Sequence, residues 1–421
     1  MSAFAGGTSF KRKRITLVSQ FYWPEHVGIA PYSTRMAEHL AEQGATVNVF
    51  TAMPHYPEWR IEPSYRGRLR STEQRRGVTI HRMLHYIPSR QSAARRAAYE
   101  ATLFVHAMLR AAPPSDAVIG VIPSLSCGAT AREFARRTKT RYGIVVQDLS
   151  SQAARQSGIS GGGAAARATA AVEGWTLAKA TRVAVVSPRF QPYVEAFGVP
   201  ADRISVLRNW VEVDAPAGEA APEASVADIR RGVRWADDEL VVLHAGNMGL
   251  KQGLEFVVDA AREAGTNGRP LRFVLMGDGS QRPMIEERAA GVANLQLLPN
   301  MPRDRCNQLM AAADVLLVNE RASIVDMALP SKLTSYFSAG RPVVAAVADD
   351  GTTAEEVRRA GGGLVVPPEN PGALLAAIDK IGDDPDLAAR LAEHGRAYAR
   401  DELSAEATLR RAEMFVAALL P

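Results

Sequence analysis

Short apolar, β-branched runs alternate along this chain with stretches whose apolar residues recur at helical spacing. In the first half, Ile15–Val18, Val47–Thr51, Val78–His81, Ala117–Val121, Tyr142–Val146, Val183–Val186 and Ile204–Leu207 predict strands. Between the first two, Tyr32–Gln43 places Met36, Leu40 and Ala41 on one helical face. The second half repeats the scheme with Leu240–His244, Arg272–Met276, Leu295–Leu298, Val315–Val318, Val343–Val347 and Leu364–Val366. Strand–helix alternation predicts parallel sheets with helices on both faces, and two such sets predict two Rossmann-like α/β domains. The segment Glu212–Ser225, rich in Ala, Pro and Glu and without periodicity, marks the boundary. The expected domains are residues 1–212 and 213–403, with 404–421 a C-terminal helix returning to the first domain. Gly158–Ala166, with three consecutive glycines, predicts a mobile loop.

The polar residues that follow these strands carry the candidate chemistry. After the strand ending at Val318, Pro330 and Ser331 can open a short helix that Gly340 closes. The N-terminus of such a helix directs free N–H groups and a positive dipole end outward, and Lys332 in its first turn adds a full charge. A lysine there opposes the helix dipole and so points to an anionic ligand; a surface lysine on a core helix fits the segment equally well. Further loops follow other strands: Phe21–Ala30 with Gly28, His244–Glu255 with Gly246, Asn247 and Lys251, Met276–Ser280 with Gly277, and Gly351–Glu356 with Glu355. Singly each is an ordinary turn. Three of them, together with the Lys332 segment, fall at strand carboxyl ends of the second domain, which is more telling, because an open α/β sheet binds its ligand there. Neither a G-x-G-x-x-G fingerprint nor the spacing of a P-loop is present, which argues against dinucleotide and ATPase readings.

Composition narrows the field further. The 421 residues are 47% hydrophobic and 23% charged, as expected of a globular protein of two domains or three. Two cysteines, Cys127 and Cys306, fit a reducing cytoplasm without a disulfide framework or zinc cluster. No apolar run approaches a membrane span, and Lys11–Arg14 reads as a short leader before the first strand rather than a signal peptide. The net charge of +5 conceals an asymmetry. Residues 1–212 hold 28 Lys plus Arg against 14 Asp plus Glu, and residues 213–421 hold 22 against 31. The first half is therefore expected to meet something anionic. A phospholipid surface on the inner face of the membrane, approached by Arg66, Arg68, Arg70, Arg75, Arg76, Arg90, Arg95 and Arg96, and a pyrophosphate-linked acceptor are the candidates. Nucleic acid is not expected, since no recognised motif is present and the arginines are not interleaved with aromatics.

Taken together, the Gly28 loop, "GNMGLKQGLE", "GDG" and "LPSKLTSYFSAGRPVVA" resemble the GT-B-fold retaining glycosyltransferases of family four, and in particular the colanic-acid type of exopolysaccharide enzymes. The likeness extends through "MPHYPEW" at 53–59, "GVIPSL" at 120–125, "VQD" at 146–148 and "RNW" at 208–210. It implies two sheets facing a central cleft, a nucleotide-diphosphate sugar donor in the C-terminal domain, and an acceptor, which could be lipid-linked, in the N-terminal one. Lys251 and Lys332 would stabilise the departing diphosphate without a metal or other cofactor. Gly246, Asn247, Gly277, Asp326 and Ser331 would line the donor site, with Glu355 near the ribose and Gly28 close to the phosphates. The acceptor side would include His55 and Tyr56. Departures are clear: the E-x7-E pair of better-known members falls here on Met327, beside Asp326, and on Ser335. The usual mid-domain His has no match around Pro123–Cys127, so His55 or Asp148 is expected to substitute. The same fold leaves a sugar-nucleotide epimerase as an alternative, and the missing pair leaves a non-catalytic sugar-nucleotide-binding protein.

Overall fold

A computed structural model describes residues 10–26, 28–88, 92–151, 162–210, 225–266, 270–323 and 331–421. The chain divides into two compact units, Met1–Asn209 with Thr408–Pro421, and Trp210–Ala407.

The first unit is built on eight strands: β1 (Arg14–Val18), β2 (Thr46–Ala52), β3 (Arg70–Arg75), β4 (Val78–Met83), β5 (Ala117–Ile122), β6 (Arg141–Val146), β7 (Arg182–Val185) and β8 (Ile204–Val206). Their order is β3-β4-β2-β1-β5-β6-β7-β8. The order in which successive strands are added reverses between the parallel strands β1 and β5, so the loops after these two strands flank the switch point where α/β sheets receive ligands. One face packs Ile15, Leu17, Val47, Val49, Ile119 and Val121 against Phe415, Val416 and Leu419 at the end of the chain. The helix Ala405–Ala417 is fixed there further by Glu413, whose carboxylate lies 2.6 Å from His39 Nε2.

Two expectations are corrected in this unit. The sheet is not wholly parallel, because β3 runs antiparallel to β4 in the register Arg70↔Met83 to Arg75↔Val78. Its sequence, Arg-Ser-Thr-Glu-Gln-Arg, has no apolar residue, as suits an edge strand with solvent on both faces. The predicted loop Gly158–Ala166 is a helix from Gly162 onward, Gly162–Leu177; the alanines after the glycines carry it, and residues 158–161 lie outside the described residues.

The second unit contains β9 (Leu240–Ala245), β10 (Leu271–Met276), β11 (Leu295–Leu298), β12 (Val315–Asn319), β13 (Val343–Ala346) and β14 (Gly363–Val366), ordered β11-β10-β9-β12-β13-β14 and parallel throughout. Its strands are apolar on both faces because both are covered. Val241, Leu243, Val274, Leu316 and Val343 face one cluster with Tyr336 and Phe337. The alternate residues Val242, Phe273, Leu275, Leu317 and Val344 face another with Val257, Val258, Leu374 and Ile378. The switch point lies between β9 and β12. No described helix is long and apolar enough to cross a membrane.

Candidate active site

In the second unit the loops after β9 and β10 are knitted into one floor. Gly246 N–H donates to Met276 C=O at 2.9 Å, and Met248 N–H to Asp278 C=O at 2.8 Å. The fit depends on Gly277, whose φ is +145°; a Cβ there would lie 1.8 Å from the Gly246 carbonyl oxygen. Gly246 and Asn247 are exposed above this floor.

Lys332 reaches over the same loop. It lies in the first turn of the helix Ser331–Ala339, and its Nζ comes within 3.8 Å of the point a Cβ on Gly246 would occupy. What aims it is Tyr336, one turn further on and buried. The Tyr336 hydroxyl accepts from Ala245 N–H at 2.8 Å and donates to Ala245 C=O at 3.1 Å, locking the helix onto the end of β9. Burial lowers the Lys332 ammonium from its ordinary value to about 8, opposed by the negative charge of Glu320 just beyond β12. Glu320 in turn accepts from Thr353 Oγ1 at 3.1 and 3.2 Å. His244, fully buried beneath, is held far below its ordinary range by burial and by the Lys332 charge, so it is neutral.

Lys251 sits in the short turn Leu250–Gln252, with its side chain exposed. Arg321 fixes that turn: its N–H donates to Lys251 C=O at 2.9 Å, its Nε donates to Leu250 C=O at 2.8 Å, and its guanidinium pairs with Glu255. Glu355 occupies the first turn of the helix Thr352–Ala360 and pairs with Arg359 on that helix at 2.6 Å. Ser331 opens its helix as predicted. Asp326 and Met327 lie outside the described residues. The structure thus brings together Gly246, Asn247, Gly277 and Lys332. Sequence reasoning missed Tyr336, Arg321 and Glu320. A tyrosine on an apolar helix face was the available signal for the first, since a buried hydroxyl requires a partner.

The first unit places its residues less uniformly. Gly28 has φ +62°, and Tyr56 Cε1 lies 3.5 Å from where its Cβ would be. Buried Glu25 organises this corner, accepting from the N–H groups of Tyr22, His55 and Tyr56 at 3.2, 2.8 and 2.8 Å. Burial raises its carboxyl above the ordinary value, while those three donors oppose the shift. Tyr56 is half-buried, with its ring 5.1 Å from that of Phe21. Asp148 is exposed just after β6 and accepts from Leu149 N–H at 2.7 Å.

His55 requires a correction. It is 2% exposed and both ring nitrogens are engaged: Nδ1–H donates to Met53 C=O, and Nε2 accepts from the Tyr99 hydroxyl, each at 2.8 Å. Burial lowers its pKa to about 4. It is a neutral structural residue, with no nitrogen left to offer a sugar. Around Pro123–Cys127, the N-terminus of the helix Leu125–Thr138 is capped from another helix by Glu100. That carboxylate accepts from Ser126 N–H at 3.0 Å and from the hydroxyls of Ser124 and Ser126 at 2.8 and 2.7 Å. A helix end that could have received an anion is therefore already occupied.

Two Rossmann-like sheets, one carrying a basic Gly-loop floor at its switch point, define a GT-B-fold glycosyltransferase. Residues 27–210 match the Glycosyl transferase 4-like domain, and residues 225–398 match Glycosyl transferases group 1. WcaI of Escherichia coli (strain K12), a glycosyl transferase provisionally assigned to colanic acid biosynthesis, is 30% identical over 93% of this chain and 96% of its own. The chain belongs to this glycosyltransferase family. Alpha-D-kanosaminyltransferase of Streptomyces kanamyceticus is 28% identical over 47% of this chain and 49% of its own. Among solved structures, sucrose-phosphate synthase from Thermosynechococcus elongatus superposes with a TM-score of 0.66 at 19% identity, covering 97% of this chain and 99% of that one. Anabaena HepE in complex with UDP gives 0.66 at 16% identity, covering 97% and 100%.

Proposed function

We propose that the second unit binds a nucleotide-diphosphate sugar and that its sugar passes to an acceptor hydroxyl with retention at the anomeric carbon. The observation that carries this reading is Lys332, a desolvated cation held over the exposed Gly246 loop at a sheet's switch point. A diphosphate over that loop would meet the N–H groups that open the helix Ser331–Ala339 and the Lys332 ammonium, with Lys251 on the adjoining turn. As the bond from the anomeric carbon to the diphosphate oxygen breaks, negative charge grows on the leaving group, and fixed cations stabilise it more than the ground state. The acceptor oxygen forms the new bond on the same face, and its proton passes to the departing phosphate oxygen. HepE, bound to UDP in one structure and UDP-glucose in another, supports a nucleotide donor for this fold.

The lysines are expected to replace a metal in this role; activity abolished by chelation and restored by a divalent cation would refute that. We place acceptor recognition in the first unit, with Tyr56 as its candidate and Asp148 in the catalytic place of the missing mid-domain histidine, and infer a lipid-linked acceptor met at the membrane surface. Thermal unfolding against UDP-, GDP- and dTDP-sugars tests the donor reading, because a ligand stabilises by mass action. Stabilisation by one of them that Lys332→Met abolishes is expected; no shift with any would overturn the assignment. Proton NMR of the product then reads whether the anomeric configuration is retained.

A further inference from the structure

Several arginines of the basic first unit are neutralised within it. Glu38 pairs with both Arg75 and Arg76, Glu73 with Arg82, and Glu100 with Arg96. This removes Arg75, Arg76 and Arg96 from the surface predicted to be cationic, and Arg90 lies outside the described residues. The segment before β3 differs. Arg66, Arg68 and Arg70 are exposed and, among the described residues, none makes an ion pair, although Arg66 Nε lies 3.4 Å from the Ile61 carbonyl. Arg70 also faces Arg110, and burial together with this like charge lowers the Arg110 pKa.

The same edge carries several highly exposed large apolar side chains. Leu69, set among the three arginines, is 71% exposed, and Leu109 and Val105 are 81% and 55% exposed. Hydrogen bonds tie their two segments together: Leu84 N–H donates to Leu69 C=O at 3.0 Å, and His106 Nδ1–H, on the helix Ala93–Met108 that carries Val105, donates to Leu84 C=O at 2.7 Å. Leu109 follows Val105 by one turn. Unpaired cations interleaved with unburied leucines cost a free protein solubility and self-repulsion, and an anionic bilayer relieves both.

We propose that this edge of the first unit docks on an anionic phospholipid bilayer, with Arg66, Arg68 and Arg70 taking lipid phosphates and Leu69, Val105 and Leu109 entering the interface. The proposal rests on the membrane-surface acceptor read above, but docking needs neither donor nor acceptor and is measured without them. The test is co-sedimentation of the full chain with vesicles of phosphatidylcholine alone or with 30% phosphatidylglycerol, at ~50 mM and ~500 mM salt. Binding to the anionic vesicles, lost at high salt, is expected. Each arginine near the surface is worth about fivefold, so Arg66→Gln/Arg68→Gln/Arg70→Gln together should weaken binding about a hundredfold. Leu109→Gln should weaken it while leaving the salt response in place, and Leu109→Trp should show a fluorescence blue shift on adding anionic vesicles. Arg136→Gln, which removes a charge paired with Glu133 within the helix Leu125–Thr138, should bind as the parent does. These side chains are exposed, and unchanged thermal midpoints will verify that the variants fold. Equal binding to neutral and anionic vesicles, undiminished binding by the triple variant, or a dimer in sedimentation equilibrium that Leu109→Gln dissociates without any vesicle binding would each overturn the proposal.

Discussion

Lys332 should give the enzyme an alkaline limb near pH 8. Its fall from 10.5 to about 8 means that burial favours the neutral amine by about 3 kcal/mol at 1.36 kcal/mol per unit. In the free enzyme the cation that receives the diphosphate is therefore lost as pH rises through 8, and kcat/KM for the donor should fall tenfold per unit above it. A bound diphosphate draws the ammonium's pKa upward again, so the limb in kcat at saturating donor should lie at higher pH than the limb in kcat/KM. Lys332→Arg keeps its charge across the whole range and should abolish the limb, whatever it does to the rate. Glu320→Gln removes the opposing charge and should move the limb to lower pH.

Stability must move the other way. The folded pKa lies below the unfolded one, so this lysine's contribution is least favourable below about pH 8 and improves as pH rises toward 10.5. Lys332→Met should thus stabilise the ligand-free protein at pH 7, by at most about 3 kcal/mol because the side chain is only partly buried, while ending activity. Initial rates from pH 6.5 to 10 and urea unfolding at pH 7 and 10.5 read both effects. A kcat/KM flat to pH 10, the same limb surviving in Lys332→Arg, or a Met variant less stable than the parent at pH 7 would refute the reasoning.

The remaining predictions separate site from scaffold. Gly277→Ala drives a methyl into the Gly246 carbonyl and should cost about 1–3 kcal/mol in thermal stability and remove donor-induced stabilisation. Tyr336→Phe and Tyr99→Phe each orphan a buried group, at about 1–2 kcal/mol, but only the former should raise the donor KM, since only it releases the lysine helix from Ala245. His55, lowered from 6.5 to about 4, contributes stability above pH 6.5 that is lost as pH falls through 4. Urea midpoints at pH 7 and 4.5 should converge in His55→Gln relative to the parent.

What the chain disclosed in advance, and what it withheld, follows from how far apart the partners are. A strand, a glycine loop and a helix opening fit within fifteen residues, so the Gly246 and Lys332 segments could be read directly, as could thirteen strands whose apolar residues are contiguous. The fourteenth, β3, alternates half-buried and exposed polar residues and has no apolar face to betray it. Anchors were hidden because they act at a distance: Tyr336 on Ala245, Arg321 on Leu250, Glu25 on His55, Glu100 on Ser126. His55 shows the limit most sharply. A polar residue after a strand looks alike whether it faces a substrate or a neighbouring tyrosine, and only the Tyr99 hydroxyl decides. The same reasoning bears on the altered acidic motif. With Ser335 at the second carboxylate position, Glu320 is, among the described residues, the acidic side chain whose charge acts on Lys332, and it comes from the end of β12. A charge that bears on this site thus comes from the end of β12 rather than from the helix that carries the lysine, and a search confined to the familiar motif would pass over it.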